Sequence, residues 1–264
     1  MSESPSLPGL RWVDAGNAGP FTLEGTRSYI VGRLHAAVID PGPPLEAHVD
    51  ALASAVSDAK TVVLLLTHGH GDHAGAAAAL SARLEAPVLG AWASGSGEAE
   101  PGVSGPSGGV PFRALDDGES VGTDAGALIA ARTPGHARDH LVYHWPEQQA
   151  AFVGDLLLGS GETTWVGAYP GCVADYLESL DRVGSLGAGI LLPTHGPAIH
   201  DPAERIERYR AHRLGRIAEV ARALAAHPGA TVDELMRVVY GPVPTGIGPA
   251  ARASLAALVE HVRG

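Results

Sequence analysis

Short apolar runs alternate with helical stripes along the first third of the chain, and Gly- and Pro-rich punctuation separates them. Leu10-Arg11-Trp12-Val13 predicts a first strand, Ser28-Tyr29-Ile30-Val31-Gly32 a second, and His35-Ala36-Ala37-Val38-Ile39-Asp40 a third, which Pro41-Gly42-Pro43-Pro44 stops. Gly32-Arg33-Leu34 joins the second and third as a hairpin. Residues 45–57 repeat Leu45, Val49, Leu52 and Val56 on one helical face. Val62-Val63-Leu64-Leu65-Leu66 is a continuous apolar run of strand length, the pattern of a strand buried on both faces. An Ala-rich helix over 74–84 and a short strand at 87–90 complete a strand-helix-strand-helix-strand series, which calls for a layered α/β domain.

The pattern changes after a stretch at 93–110 made largely of Gly, Ser, Pro and Glu, read as a loop. Residues 111–115, 128–133, 141–145 and 150–154 read as successive short strands, a second sheet packed against the first. A helix follows at 176–183, then a last core strand at 189–192. From residue 202 the chain is helical. Ile206, Tyr209, Leu214, Ile217 and Val220 form a stripe in a helix that His227-Pro228-Gly229 breaks, Thr231 and Glu234 make a capping box for a second helix to Tyr240, and 249–261 is a third. The expected organisation is a catalytic α/β domain over 1–200 and a small helical domain over 201–264.

The chemistry concentrates directly after the run at 62–66, in Thr67-His68-Gly69-His70-Gly71-Asp72-His73. Imidazole nitrogens and carboxylate oxygens are zinc ligands, and open α/β sheets place their chemistry at the carboxyl ends of strands. Four such donors within six residues, next to a core strand, are costly to bury without a partner. Three later strands end the same way, in Thr133-Pro134-Gly135-His136, Gly154-Asp155 and Pro193-Thr194-His195-Gly196. One ion cannot easily take all seven donors. His68, His70 and His136 are expected at one metal, Asp72, His73 and His195 at a second, with Asp155 bridging because a carboxylate has two oxygens. Two divalent ions about 3.5 to 4 Å apart would present a bridging hydroxide at neutral pH, so the reaction class is hydrolysis without a protein nucleophile. Asp72 and His140 are the candidate catalytic residues, as proton donors to the leaving group. Asp40, at a strand end before Pro-Gly, either supports the metal site or simply forms a turn.

Composition narrows the picture. A formal net charge of -11, with Lys60 the only lysine, argues against a general nucleic-acid binder. Cys172 is alone, so no internal disulfide forms, and a buried apolar role is expected for it. Without a membrane-length apolar run or a basic-then-apolar leader pattern, the cytoplasm is the expected location and no membrane partner is expected.

These motifs resemble the metallo-β-lactamase superfamily over about residues 10–200, a resemblance that implies a four-layer αββα sandwich and, as cofactor, two divalent metal ions, usually Zn2+. Asp40-Pro41-Gly42 looks like the aspartate strand end that supports such sites. Gly25-Thr26, Tyr29-Ile30-Val31-Gly32, Gly154-Asp155-Leu156-Leu157-Leu158-Gly159 and Thr163-Thr164 are similar to the beta-lactamase-like protein 2 branch, which includes an endoribonuclease cutting single-stranded RNA and carries a winged-helix tail. The resemblance implies a truncated winged-helix-like domain over 201–264, with little or no room for a wing. Arg27 departs from that branch, which has asparagine there.

The expected function is therefore dinuclear metal-dependent hydrolysis of a small ester or thioester, with an acyl or other small-molecule substrate. Single-stranded RNA cleavage is the alternative that the branch implies. A lactone or β-lactam hydrolase and a non-catalytic binding protein are further alternatives. Arg205, Arg208, Arg213 and Arg216 could touch RNA, but Glu204, Glu207 and Glu219 interleave with them, so the tail is expected to pack, shape the cleft or form a homodimer contact. Within the thioester reading a glyoxalase type is disfavoured, since the tail shows no obvious basic cluster for glutathione carboxylates.

Overall fold

The fold is described from a computed structural model, covering residues 6–91, 112–244 and 246–264. The stretch read as a loop at 93–110 lies outside the described residues.

The first sheet has six strands in sequence order: β1 (Leu10–Asp14), β2 (Arg27–Val31), β3 (His35–Ile39), β4 (Thr61–Leu65), β5 (Val88–Gly90) and β6 (Phe112–Ala114). β1, β2 and β3 are antiparallel, and β3 through β6 are parallel. Helix α1 (Glu46–Ala55) makes the crossover from β3 to β4, and α2 (Gly71–Ala74) with α3 (Ala77–Leu84) the crossover to β5. The expected single Ala-rich helix is thus two, broken at Gly75, whose Cβ would lie 2.2 Å from Gly71 O and 2.7 Å from Pro44. One expectation is corrected outright. Of the strand expected at 111–115, the described residues do not join the second sheet: Val88 pairs with Phe112, and β6 lies at the edge of the first. Three residues carry no local signal of which neighbour they will join.

The second sheet runs in the order β11 (Ile190–Pro193), β10 (Ala150–Gly154), β9 (Leu141–Trp145), β8 (Gly126–Arg132), β7 (Ser120–Thr123). Among the described residues its β10–β11 pair is the parallel one, with α4 (Cys172–Ser185) between. Beyond it lie α5 (Pro202–Ala226), α6 (Val232–Val239) and α7 (Gly248–Arg263). The capping box at Thr231 and Glu234 is formed. Among the described residues no strand follows β11, so the tail is three helices without a wing.

Three apolar clusters define four layers. Tyr29, Ile39, Leu65, Leu128, Tyr143 and Phe152 fill the space between the two sheets. Ile30, Val38, Leu52, Leu64 and Leu80 pack α1 and α3 on the outside of the first sheet. Val142, Ala151, Tyr176, Leu180, Tyr209, Leu235 and Leu258 pack α4 and the tail helices on the outside of the second. The result is an αββα sandwich. Among the described residues no helix is long and apolar enough to cross a membrane.

Candidate metal centre

The carboxyl ends of β4, β8, β10 and β11 meet along one edge of the sandwich, and each delivers a donor. After β4 the chain turns through His68 and His70 into α2, which carries Asp72 and His73. The loop after β8 holds His136, the end of β10 holds Asp155, and the turn after β11 holds His195. Gly135 sits beside the backbone of α4 with φ +136, where a Cβ would lie 2.5 Å from Tyr176 Cα. Only glycine lets the chain pass there and present the next residue inward.

The seven donors come together in three overlapping groups whose ligand atoms lie within 4.8 Å of one another: His68, His70 and His136; His68, His73 and Asp155; Asp72, His73 and His195. His70 Nδ1 stands 2.8 Å from His68 Nε2 and 3.0 Å from His136 Nε2. Asp72 Oδ2 is 3.1 Å from His195 Nε2 and 3.7 Å from His73 Nε2. Asp155 straddles the two sets. Its Oδ1 is 3.4 Å from both His73 Nε2 and His195 Nε2, while its Oδ2 is 3.7 Å from His136 Nε2.

This donor set fits divalent cations. His73 Nε2 and Asp155 Oδ1 are buried and have no hydrogen-bond partner, a state that native interiors rarely tolerate. A ring nitrogen carries one proton or one lone pair, so His70 Nδ1 cannot bond both of its histidine neighbours, whereas a cation accepts a lone pair from each. The remaining ring nitrogens are already oriented. His73 Nδ1 lies 2.8 Å from Asp40 Oδ2, His195 Nδ1 3.1 Å from Gly25 O, His136 Nδ1 2.9 Å from Trp165 O, and His68 Nδ1 3.1 Å from Thr67 Oγ1. Such outer contacts fix which nitrogen faces a metal.

Asp40 proves to be a support for the cluster. Fully buried, with φ +50, it also accepts hydrogen bonds from Thr67 N, Thr67 Oγ1 and Thr194 Oγ1, tying β4 to β11 across the site. Arg27, by contrast, pairs with Asp14 on the sheet edge and stacks over Trp12.

The electrostatics differ between the two sides. Burial and neighbouring histidines hold His68 well below its usual range and His70 at about 3, and burial holds His136 at about 4 against the pull of Asp155. The shifts favour the neutral form of these rings, the form that can offer a lone pair to a cation. On the other side burial works against protonation of His73 and His195, but the carboxylates of Asp155 and Asp72 outweigh it and raise both. Burial opposes ionisation of Asp155, yet His195 and His73 draw its carboxyl well below the ordinary range. The carboxylates thus demand positive charge, which protons on two histidines or a bound cation supply.

His140 stands behind this set. It is buried, its Nδ1 lies 2.9 Å from Thr133 Oγ1, and its ring is 5.3 Å from that of His68. Cys172 is buried within α4, and burial raises its thiol.

Over the donors opens a cavity of about 630 Å³, with His70, Asp72, His136 and Asp155 on its floor. Phe21, 56 % exposed, stands at its lip. The loop after β10 forms one wall through Thr164 and Trp165, and Trp165 Nε1 donates to Ala250 O at 3.0 Å, fastening that wall to α7. Next to it the lining continues through His212, Arg213, Arg216 and Tyr240, with Arg213 NH2 bonded to Thr164 O at 3.1 Å. Of the tail arginines named from the sequence, Arg213 and Arg216 face the cavity together with His212, a basic group that the interleaved glutamates obscure in the sequence. Leu214 belongs to the apolar stripe expected for α5, but it is 47 % exposed, and Arg213 takes its place at 3 %. The buried face runs Ile206, Tyr209, Arg213, Val220, a helical period that is found only when a charged residue is allowed into it.

The chain matches the Metallo-beta-lactamase superfamily over residues 22–195 and belongs to that superfamily. With this fold and these His/Asp clusters it is a metallo-hydrolase. It is 30 % identical over 243 residues to a beta-lactamase-like protein 2 homolog of Caenorhabditis elegans, covering 89 % of this chain and 77 % of that one. It is 31 % identical over 269 residues to an atrochrysone carboxyl ACP thioesterase of Aspergillus chevalieri, covering 95 % and 81 %. The crystal structure of a metallo-beta-lactamase family protein from Thermus thermophilus superposes with a TM-score of 0.76 at 24 % identity, covering 97 % of this chain and 94 % of that one. That likeness is one of fold, and it extends over the tail helices.

Proposed function

We propose that the protein is a dinuclear metal-dependent hydrolase of a small acyl thioester or ester. The observation that carries this reading is the cavity: about 630 Å³ of space, floored by candidate metal ligands and walled by the tail helices, has the size and partly apolar lining of a small-molecule site. Similarity over 95 % of the chain to a protein named as a thioesterase supports the thioester as the leading substrate class.

In this reading His68, His70 and His136 would hold one ion and Asp72, His73 and His195 the other, with Asp155 as the carboxylate shared between the two sets. Two divalent ions, with zinc the usual one for these donors, would supply an activated water at neutral pH and polarise the acyl carbonyl. The protein's own contribution is placement. Asp40, Trp165 O and Gly25 O fix the ring orientations of His73, His136 and His195. Asp72 lines the cavity and is the candidate to relay a proton to the leaving atom, taking it up as a carboxylate because, against burial, His73 and His195 lower its carboxyl to about 2. His140 stands behind His68 with its Nδ1 on Thr133 Oγ1. Tyr240 and Trp165 give the acyl group apolar wall.

A second reading, cleavage of single-stranded RNA, is favoured by the similarity to a beta-lactamase-like protein 2 homolog. Against it, the α5 arginines other than the two lining the cavity are already engaged rather than aligned along the helix: Arg205 donates to Leu158 O, Arg208 pairs with Glu204 and Arg210 with Asp181.

The test is the metal-loaded protein assayed against a matched panel of thioesters, lactones, β-lactams and single-stranded RNA, with Asp155→Ala as control. Thioester turnover that the variant loses is expected. RNA cleavage without thioester turnover would replace the first reading by the second.

A further inference from the structure

The α5 side of the cavity, where that helix meets the loop after β10, contains a buried charge that no carboxylate of the described residues neutralises. Arg213 is 3 % exposed and lines the cavity. Its NH2 donates to Thr164 O at 3.1 Å and approaches Thr163 Oγ1 at 3.4 Å, and its guanidinium lies 5.2 Å over the ring of Tyr176. Among the described residues no carboxylate lies within ion-pair distance of it, and its Nε has no partner at all. A buried guanidinium without a counter-ion is expensive. Two further groups on the same wall are incomplete in the same way. Arg216 stacks 4.3 Å from the Tyr240 ring and gives NH1 to Glu219, but its NH2 is buried without a partner, and so is His212 Nδ1. These three residues sit on one face of α5, separated from the metal ligands and sharing the cavity with them.

We propose that Arg213, Arg216 and His212 form an oxyanion-binding subsite, which takes a carboxylate or phosphate on the substrate while its scissile bond lies over the metal ligands. The subsite rests on the hydrolase reading for its choice of substrate, but its anion binding does not. Arginine is the residue suited to it, since a planar fork of N–H donors matches a carboxylate or phosphate edge. Burial weakens the protonated form of Arg213, and the adjacent Arg216 weakens it further, both of which an arriving anion reverses. Two parts of a thioester could carry the anion. It is either the far end of the acyl group, as in an ω-carboxyacyl chain, or the phosphate of a phosphopantetheine arm.

The experiment uses the metal-loaded full chain and two matched pairs of thioesters. One pair consists of N-acetylcysteamine thioesters of an ω-carboxyacyl group, from succinyl to adipoyl, and of its neutral methyl-ended isostere. The other consists of one neutral acyl group on pantetheine and on phosphopantetheine. The subsite predicts a preference of about tenfold or more in kcat/KM for the charged member of one pair, expressed chiefly in KM, because a site built for a polar group discriminates strongly against a partner lacking it. Preference in the first pair assigns a carboxylate, preference in the second a phosphate. In Arg213→Met and Arg216→Gln the ratio should fall toward one. Calorimetric titration of adipate and of inorganic phosphate into the wild type and both variants, at equal metal content, gives a readout independent of turnover.

Anion binding that depends on Arg213 or Arg216, with no thioester hydrolysed, would keep the subsite and overturn the thioester reading. Thioester turnover with no charge preference in either pair, and anion titrations unchanged by both substitutions, would overturn the subsite. If Arg213 only braced the Thr164 loop, Arg213→Met would lower thermal stability and leave the ratio where it was. The less buried Arg216→Gln keeps the test open even if the first variant folds poorly.

Discussion

His73 and Asp40 meet through a 2.8 Å contact between Nδ1 and Oδ2, with neither side chain exposed to solvent. That contact leaves His73 Nε2 pointing at Asp155, so the buried aspartate decides which nitrogen is offered to a metal. Asp40→Ala should lower metal affinity or activity about 10- to 100-fold, the usual effect of losing an outer hydrogen-bond partner. Because it also strips Thr67 and Thr194 of their acceptor, thermal stability should fall with it. Metal content by mass spectrometry after dialysis checks the first part. Two tightly held ions in a well-folded Asp40→Ala protein would show that His73 needs no such support.

Asp155 has one oxygen toward His73 and His195 and the other toward His136. If it serves both ions, Asp155→Ala should reduce metal content below two per chain and cut hydrolysis by more than the about 100-fold upper end of outer-partner losses. Full activity with two bound metals would sink the bridging role. Chelation of the wild type should act in the same direction. With the cations gone, buried His73 Nε2 and Asp155 Oδ1 again lack partners, so the thermal midpoint should drop on chelation and recover on adding zinc.

Much of this architecture was legible because each donor stands at the end of an apolar run. His68 follows β4, Asp155 closes β10 and His195 follows β11, so the hydrophobic pattern alone places them on one edge of a layered fold. What the pattern could not carry was non-local. β6 is three residues long, and its choice of β5 as partner is made by tertiary packing across a long connection. The break between α2 and α3 falls where Gly75 passes close to Pro44 and Ala76 N–H turns to Gly42 O, a partner distant in sequence. Arg213 escapes the pattern for a different reason. Its stripe on α5 is regular only if an arginine is accepted into a buried face, which a search for apolar periodicity passes over in favour of Leu214.

Gly135 offers a local test of how the His136 loop is held. At φ +136 an alanine Cβ would stand 2.5 Å from Tyr176 Cα and 2.8 Å from Tyr176 N, backbone atoms of α4 that cannot swing aside. Gly135→Ala therefore combines overpacking with a backbone conformation that L-residues avoid, together about 2 to 4 kcal/mol. Chemical denaturation should show that loss, and the displaced His136 should weaken metal binding at its set before the others. An alanine variant as stable as the wild type would mean that the loop has another path.

Asp124 gives a pH dependence that lies far from the metal ligands. Its carboxylate accepts from the backbone N–H groups of Arg33, Leu34 and His35 at 2.8, 3.0 and 3.2 Å, clamping the β2–β3 hairpin turn to the end of β7. Those hydrogen bonds, with Leu34 N–H and Arg33 N–H the strongest, lower its pKa from 3.8 to about 2. A carboxylate depressed in the folded state stabilises fully above its unfolded pKa, and the contribution is lost as pH falls through the folded value. The difference in thermal midpoint between wild type and Asp124→Asn should accordingly stay constant from neutral pH down to about 5, then shrink between about 4 and 2. Both proteins should be measured after chelation, so that the histidine cluster titrates alike in each. A difference that stayed flat down to the acid limit, or grew there, would mean that the clamp does not depend on the charge of Asp124.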